Sequence, residues 1–167
     1  MNAAYEELIH LLDERELSYG TNDESQSIYT DIRGEVATYR IVARVDTEVD
    51  LFQVVGHSPL RVPEGSRPAI AEAVARANFG LRVGKFEFDI DEGDLRFQAS
   101  QVMIDDTVGE RVIDRLISTT VAMLDMYLPA FLSVIYGNEL PKDAIRCVEA
   151  NRCGPAVTEG DEPETND

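Results

Sequence analysis

The chain has no tryptophan, two cysteines, two histidines and two lysines in 167 residues. Each shortage excludes something. Cys147 and Cys153 are separated by five residues, and His10 and His57 are far from them in sequence. Structural zinc sites need four ligands, with cysteines more closely spaced. No metal and no cofactor are therefore expected. Basic residues are also scarce: 15 against 32 acidic ones, for a formal net charge of -17. Such a charge repels phosphate backbones, so nucleic acid is not an expected partner. No glycine-rich phosphate loop is present. No stretch reads as an unbroken run of the roughly 18–20 apolar residues that span a bilayer, so no membrane association is expected. The N-terminus, MNAAYEELIHLLDERE, is acidic and lacks the charged n-region of a signal peptide. A cytoplasmic protein with free thiols is the expectation.

What is present is periodicity. Residues 3–16 place Ala4, Tyr5, Leu8, Leu11 and Leu12 at helical spacing, and this helix ends before Gly20. TNDES reads as a loop. Strands follow around Ile28–Ile32, over 35–45 and at Leu51–Gly56, with short links that favour an antiparallel meander. In the second of these, Tyr39, Ile41, Ala43 and Val45 alternate with Thr38, Arg40, Val42 and Arg44. HSPLRVPEG, with Pro59 and Pro63, reads as a loop. Ser66 is the expected N-cap of a second helix, with Pro68 in its first turn and Asn78 or Gly80 ending it. Two more strands bury Phe86, Phe88 and Ile90, then Leu95, Phe97 and Ala99, around a Gly93 turn. A long helix from Val108 to Tyr136 turns Val112, Leu116, Leu124, Leu128, Phe131 and Ile135 inward, and Pro129 is expected to kink it. LPKDAIRCVEANRC reads as a further short helix. The fold class is thus α+β, an antiparallel five-stranded sheet in the order α-β-β-β-α-β-β-α. Residues 1–150 make one domain, and 151–167 read as a disordered acidic tail.

Two apparent motifs fail on inspection. Gly56-His57-Ser58-Pro59 has Leu60 where a nucleophile elbow needs glycine. The acidic run from Asp89 has Asp94 and Ser100 where a calcium loop needs Gly and Glu, and strands where it needs helices. No catalytic residue is assigned. One arrangement carries more information. If the apolar strand positions face the helices, Arg40, Arg44, Lys85 and Arg96 share the other sheet face. Cross-strand ion pairs are the plain explanation. A partner-docking face is the functional one.

The run RVPEGSRPAIAEAVARANFGLRVGKFEFDIDEGDLRFQAS, with a helix ending in LDMYLPAFLSVIYG, resembles the YbjN-domain family, described as putative bacterial sensory transduction regulators. The resemblance rests on Arg67, Glu72 and Ala75, on Ala77-Asn78, on Gly84-Lys85-Phe86-Glu87 and on Gly93, and covers about residues 5–137. It implies a type III secretion chaperone-like fold and a small, acidic, often dimeric protein-binding domain without catalytic residues. The expectation is a non-enzymatic protein-binding module, a regulator or secretion-chaperone-like adaptor, acting as a homodimer on an unnamed protein partner. The small-residue face of the second helix, Ile70, Ala73, Val74 and Ala77, is the expected dimer contact. The competing reading is an enzyme with an unrecognised acidic active site, which a deep pocket lined by carboxylates and His57 would favour.

Overall fold

The structure is a computed structural model, and it describes residues 2–151. The proposed tail lies outside the described residues, apart from Asn151. The elements are α1 (Ala3–Glu14), β1 (Tyr19–Asn22), β2 (Ser27–Arg33), β3 (Thr38–Asp46), β4 (Leu51–Arg61), a 3₁₀ turn (Glu64–Ser66), α2 (Arg67–Phe79), β5 (Lys85–Asp89), β6 (Asp94–Val102), α3 (Glu110–Tyr136) and α4 (Pro141–Ala150). Every strand pair is antiparallel, and the sheet order is β1-β2-β3-β4-β6-β5. The helices cover one face. Alternation explains which: Tyr39, Ile41, Ala43 and Val45 of β3 and Leu95, Phe97 and Ala99 of β6 are buried, as are Ile113, Leu124, Leu128 and Phe131 of α3.

The sheet has six strands, not five. The strand missing from the sequence reading is β1, whose polar Gly20-Thr21-Asn22 gives no apolar alternation. It pairs with β2 across the Asp23–Gln26 turn, and the Thr30 hydroxyl donates to the Ser18 carbonyl at 2.8 Å. Strand β4 continues through the expected loop. Its register with β6 shifts between His57 and Arg61, and Pro59 sits in that irregularity, where no ladder donor is needed. Gly56 lies where β4 meets α3. A Cβ there would stand 2.6 Å from Leu124 Cδ1 and from Thr120 Cγ2, so only glycine lets the helix approach this closely.

Three smaller expectations need correction. Ser66 does not cap α2: its side chain makes no cap bond, because the 3₁₀ turn carries the chain straight into the helix. Of the two expected ends of α2, Gly80 is the C-cap, and the Asn78 side chain is used elsewhere. Ile90 is exposed, because the chain is already in the turn there. Val112 is exposed and Ile113 takes the buried position. Helix α3 also corrects the membrane argument. By length and composition it could cross a bilayer. Its apolar character is instead used against the sheet and α4. It runs unbroken through Pro129, whose missing N–H leaves the Asp125 carbonyl without its helical donor.

Candidate protein-docking surfaces

The open face of the sheet is built from register. Asp31, Arg40, His57, Arg96 and Glu87 form one transverse row across β2, β3, β4, β6 and β5. The cations expected there share one face, but Arg40, Lys85 and Arg96 are paired. Arg40 donates to both Asp31 oxygens, at 2.6 and 2.9 Å, and lies 5.8 Å from the Tyr29 ring centroid. Glu87 holds Lys85 at 2.9 Å and Arg96 at 2.7 Å. Arg44 has no ion pair among the described residues. The Arg40 hydrogen bond holds the Asp31 carboxyl below its ordinary value. Partial burial pushes Glu87 up, but hydrogen bonds from Lys85 and Arg96 outweigh it and the net shift is down. Burial, helped by Arg96, lowers His57, so its imidazole stays neutral near pH 7.

Beside His57 is a hollow of ≈ 240 Å³ lined also by Glu87, Phe88, Asp89, Asp94 and Arg96. It is smaller than the roughly 300–1,000 Å³ of ligand pockets. Its Glu87 already carries two cations. The deep carboxylate-lined pocket that would favour an enzyme is not formed around His57.

The expected dimer face is inside the protein. Ile70, Ala73, Val74 and Ala77 are all buried in the one chain. Helix α2 packs on α4, α3 and β5, and Ala144 and Ile145 of α4 are buried with it. Small residues on α2 do permit close approach, but the neighbour is α4 and not a second copy. The residues that carry the family resemblance are structural for a related reason. The Asn78 side chain accepts from Phe86 N at 2.7 Å and donates to Phe86 O at 2.9 Å, so it pairs with edge strand β5. Arg67 donates to the carbonyls of Asp91 at 2.6 Å and Ile90 at 3.2 Å. Gly93 has φ +79°, and a Cβ there would stand 2.5 Å from the Val62 carbonyl. Together they pin the β5–β6 hairpin to α2.

The surface missed by sequence reading is the outer side of α3. Between Arg115 and Glu139 the chain carries a single charged residue, Asp125. Two grooves flank this side. One, ≈ 910 Å³, has an apolar floor including Leu17, Ile32, Ile117, Val121 and Met126, with Arg15, Arg33 and Glu35 on its rim. The other, ≈ 900 Å³, lies between α3 and the link from α2 to β5. Asp125 also lines the first groove, but its carboxylate is already engaged. It accepts from Glu35 N at 2.8 Å, Val36 N at 3.0 Å and the buried Tyr39 hydroxyl at 2.7 Å. Burial alone would raise its pKa, but the Tyr39 hydroxyl and the N–H groups of Glu35, Val36 and Ala37 outweigh it and hold it below its ordinary value. The same burial and the same bond push the Tyr39 hydroxyl well up. A helix apolar on nearly all sides was the available signal; its ordinary reading is full burial.

His10, Glu14 and Glu110 also converge, with ligand atoms within 4.8 Å of one another. They are largely exposed, and the His10 Nδ1 to Glu110 contact of 2.7 Å accounts for their closeness.

With this geometry in place, the chain can be compared with known proteins. The model of the YbjN family, described as "Putative bacterial sensory transduction regulator", matches residues 4–133. The chain belongs to this family. No curated protein matches it. Among solved structures it is similar to YbjN of E. coli, described as a putative transcription regulator. That match has 14% identity and a TM-score of 0.53, over 74% of this chain and 86% of that one. It is also similar to a chain of the HopA1–SchA chaperone–effector complex, at 10% identity and a TM-score of 0.47, over 70% and 85%. At these identities the likeness is one of fold. The α+β architecture with an antiparallel sheet is shared with YbjN of E. coli.

Proposed function

We propose that this chain is a non-enzymatic protein-binding module, a regulator or secretion-chaperone-like adaptor of the cytoplasm. It takes an apolar segment of a partner protein into the ≈ 910 Å³ groove between α3, the end of α1 and the β2–β3 turn. The observation that carries this reading is the contrast in charge: a protein of net charge -17 keeps one helix side nearly free of charge. Sustained apolar surface of this kind marks interaction sites. Membership of a family described as sensory transduction regulators supports the same direction. So does the small size of the hollow beside His57, whose Glu87 is already paired with Lys85 and Arg96.

The test is affinity capture from the native host with the full chain as bait. Met126→Arg and Glu35→Arg alter this groove alone, and Arg96→Glu alters the sheet face. The expected result is a protein held by wild type and by Arg96→Glu but lost with either groove variant. Capture that survives both groove variants, with melting curves unchanged, overturns the groove. The reading extends to a homodimer, formed through a surface other than the α2 face. A sedimentation mass that stays at 18.6 kDa as concentration rises overturns the homodimer.

A further inference from the structure

The second groove differs from the first in charge. Its only charged lining residues are Arg82 and Arg115. Both are exposed, and neither has an ion pair among the described residues. Arg111 lies one turn before Arg115 on α3 and is likewise unpaired. Two uncompensated arginines over an apolar floor are a local positive spot in a protein with twice as many acids as bases. Val83 of the lining is 51% exposed, and Phe79, at the end of α2, is 95% exposed.

The course of α4 says what reaches this groove. The chain leaves α3 at Tyr136 and returns along it. Glu139 N bonds Ser133 O at 3.3 Å, and further on the Tyr127 hydroxyl donates to Glu149 at 2.9 Å. Helix α4 therefore runs antiparallel to α3 and ends near Tyr127. One turn further in the same direction is Met123, which lines the groove, and then Arg115. After Asn151 the sequence reads RCGPAVTEGDEPETND. Its order fits the order of the groove: an apolar Pro155-Ala156-Val157 first, then Glu159, Asp161, Glu162 and Glu164. From Tyr127 to Arg115 is about 18 Å at about 1.5 Å per residue. The chain from Asn151 to Glu159 spans up to about 26–29 Å when extended. The acids arrive with slack to spare.

We propose that residues 155–164 dock in cis on this groove, with Pro155–Val157 against the apolar floor and the carboxylates on Arg82 and Arg115. A tethered segment faces its site at an effective concentration on the order of millimolar, so an intrinsic affinity in that range, from apolar contact and ion pairs together, suffices to hold it. The inference is independent of the partner groove proposed above, since Arg82 and Arg115 take no part in that one.

The experiment uses the full chain with Cys147→Ser and Cys153→Ser and a nitroxide at Thr158→Cys, leaving every tail acid in place. Cys147 is exposed, so its replacement leaves the core intact. The expected result is paramagnetic broadening of the Leu81, Val83 and Met123 methyl signals. It falls to background in Arg82→Gln/Arg115→Gln, and it weakens as sodium chloride is raised, because exposed charges are screened. These two arginines are exposed, so the double variant is expected to fold, and its unchanged core methyl shifts check that. Broadening confined to Val121 and Met126, or absent everywhere, overturns the proposal. So does broadening seen only when spin-labelled chain is mixed with isotope-enriched unlabelled chain, which places the segment on a second copy.

Discussion

The open face of the sheet and the outer side of α3 lie on opposite sides of the same core. They solve opposite problems. The sheet face collects charge and neutralises it internally: Asp31 answers Arg40, and Glu87 answers both Lys85 and Arg96. The α3 side carries a single carboxylate, which lines a groove but is tied up by hydrogen bonds from Glu35 N, Val36 N and the Tyr39 hydroxyl. A surface that looks functional because it concentrates cations can therefore be self-satisfied. A surface that looks merely hydrophobic can be the one left open. Partners, not composition, separate the two.

The comparison depends on α3 being seated firmly on the sheet, and the largest expected effect comes from breaking that seat. Phe86 of β5 lies 5.0 Å from Phe97, 5.2 Å from Tyr127 and 5.3 Å from Phe131, ring centre to ring centre. It joins the edge strand to α3. Phe86→Ala is expected to lower stability by about 3–5 kcal/mol, since it loses burial, edge-to-face contacts and packing at once. Urea unfolding at constant slope measures it. A loss under about 1 kcal/mol would mean that α3 is not held there.

A smaller effect is expected where the α3 side disposes of its charge. Asp125→Ala leaves the buried Tyr39 hydroxyl and two backbone N–H groups without their acceptor, at about 1–3 kcal/mol. The pH dependence gives the sign. The folded pKa of Asp125 lies below its ordinary value of 3.8, so the folded state binds its proton less readily than the unfolded one. The stabilisation is complete above about pH 3.8 and is lost as pH falls through the lower folded value. In Asp125→Asn, that acid-side contribution should disappear. Equal acid sensitivity in wild type and Asp125→Asn would assign the clamp to another group.

The sequence made the covered face of the sheet legible. Tyr39, Ile41, Ala43 and Val45 alternate because a half-buried strand must. The ion-paired face was legible in part. Alternation placed Arg40, Arg44, Lys85 and Arg96 on one side, but their partners depend on register. Only pairing β2 with β3 and β5 with β6 sets Asp31 beside Arg40 and Glu87 beside Arg96. Strand β1 was hidden because Gly20-Thr21-Asn22 pairs through its backbone with almost nothing apolar to bury. The α2 face was misassigned because burial does not name the neighbour. Ala73 and Ala77 fit a second copy or α4 equally well until α4 is placed. The α3 grooves were invisible for the opposite reason: no pattern within a helix states which apolar residues its own chain will leave uncovered.

The smallest effect is expected on the sheet face, and its smallness is the point. Arg96→Gln removes one of the two cations on Glu87 and leaves Lys85 in place. The pair is half exposed, so its loss should cost no more than about 1 kcal/mol, and less at high salt. Thermal unfolding at low and high salt measures it. His57 sharpens the reading, because Arg96 is one of the groups holding it neutral. Without Arg96 the His57 pKa should rise toward its ordinary value, visible as a shifted imidazole titration by NMR. A large loss of stability with no movement of His57 would mean that Arg96 anchors the fold rather than balancing charge on an open face. The contrast with α3 would then fail.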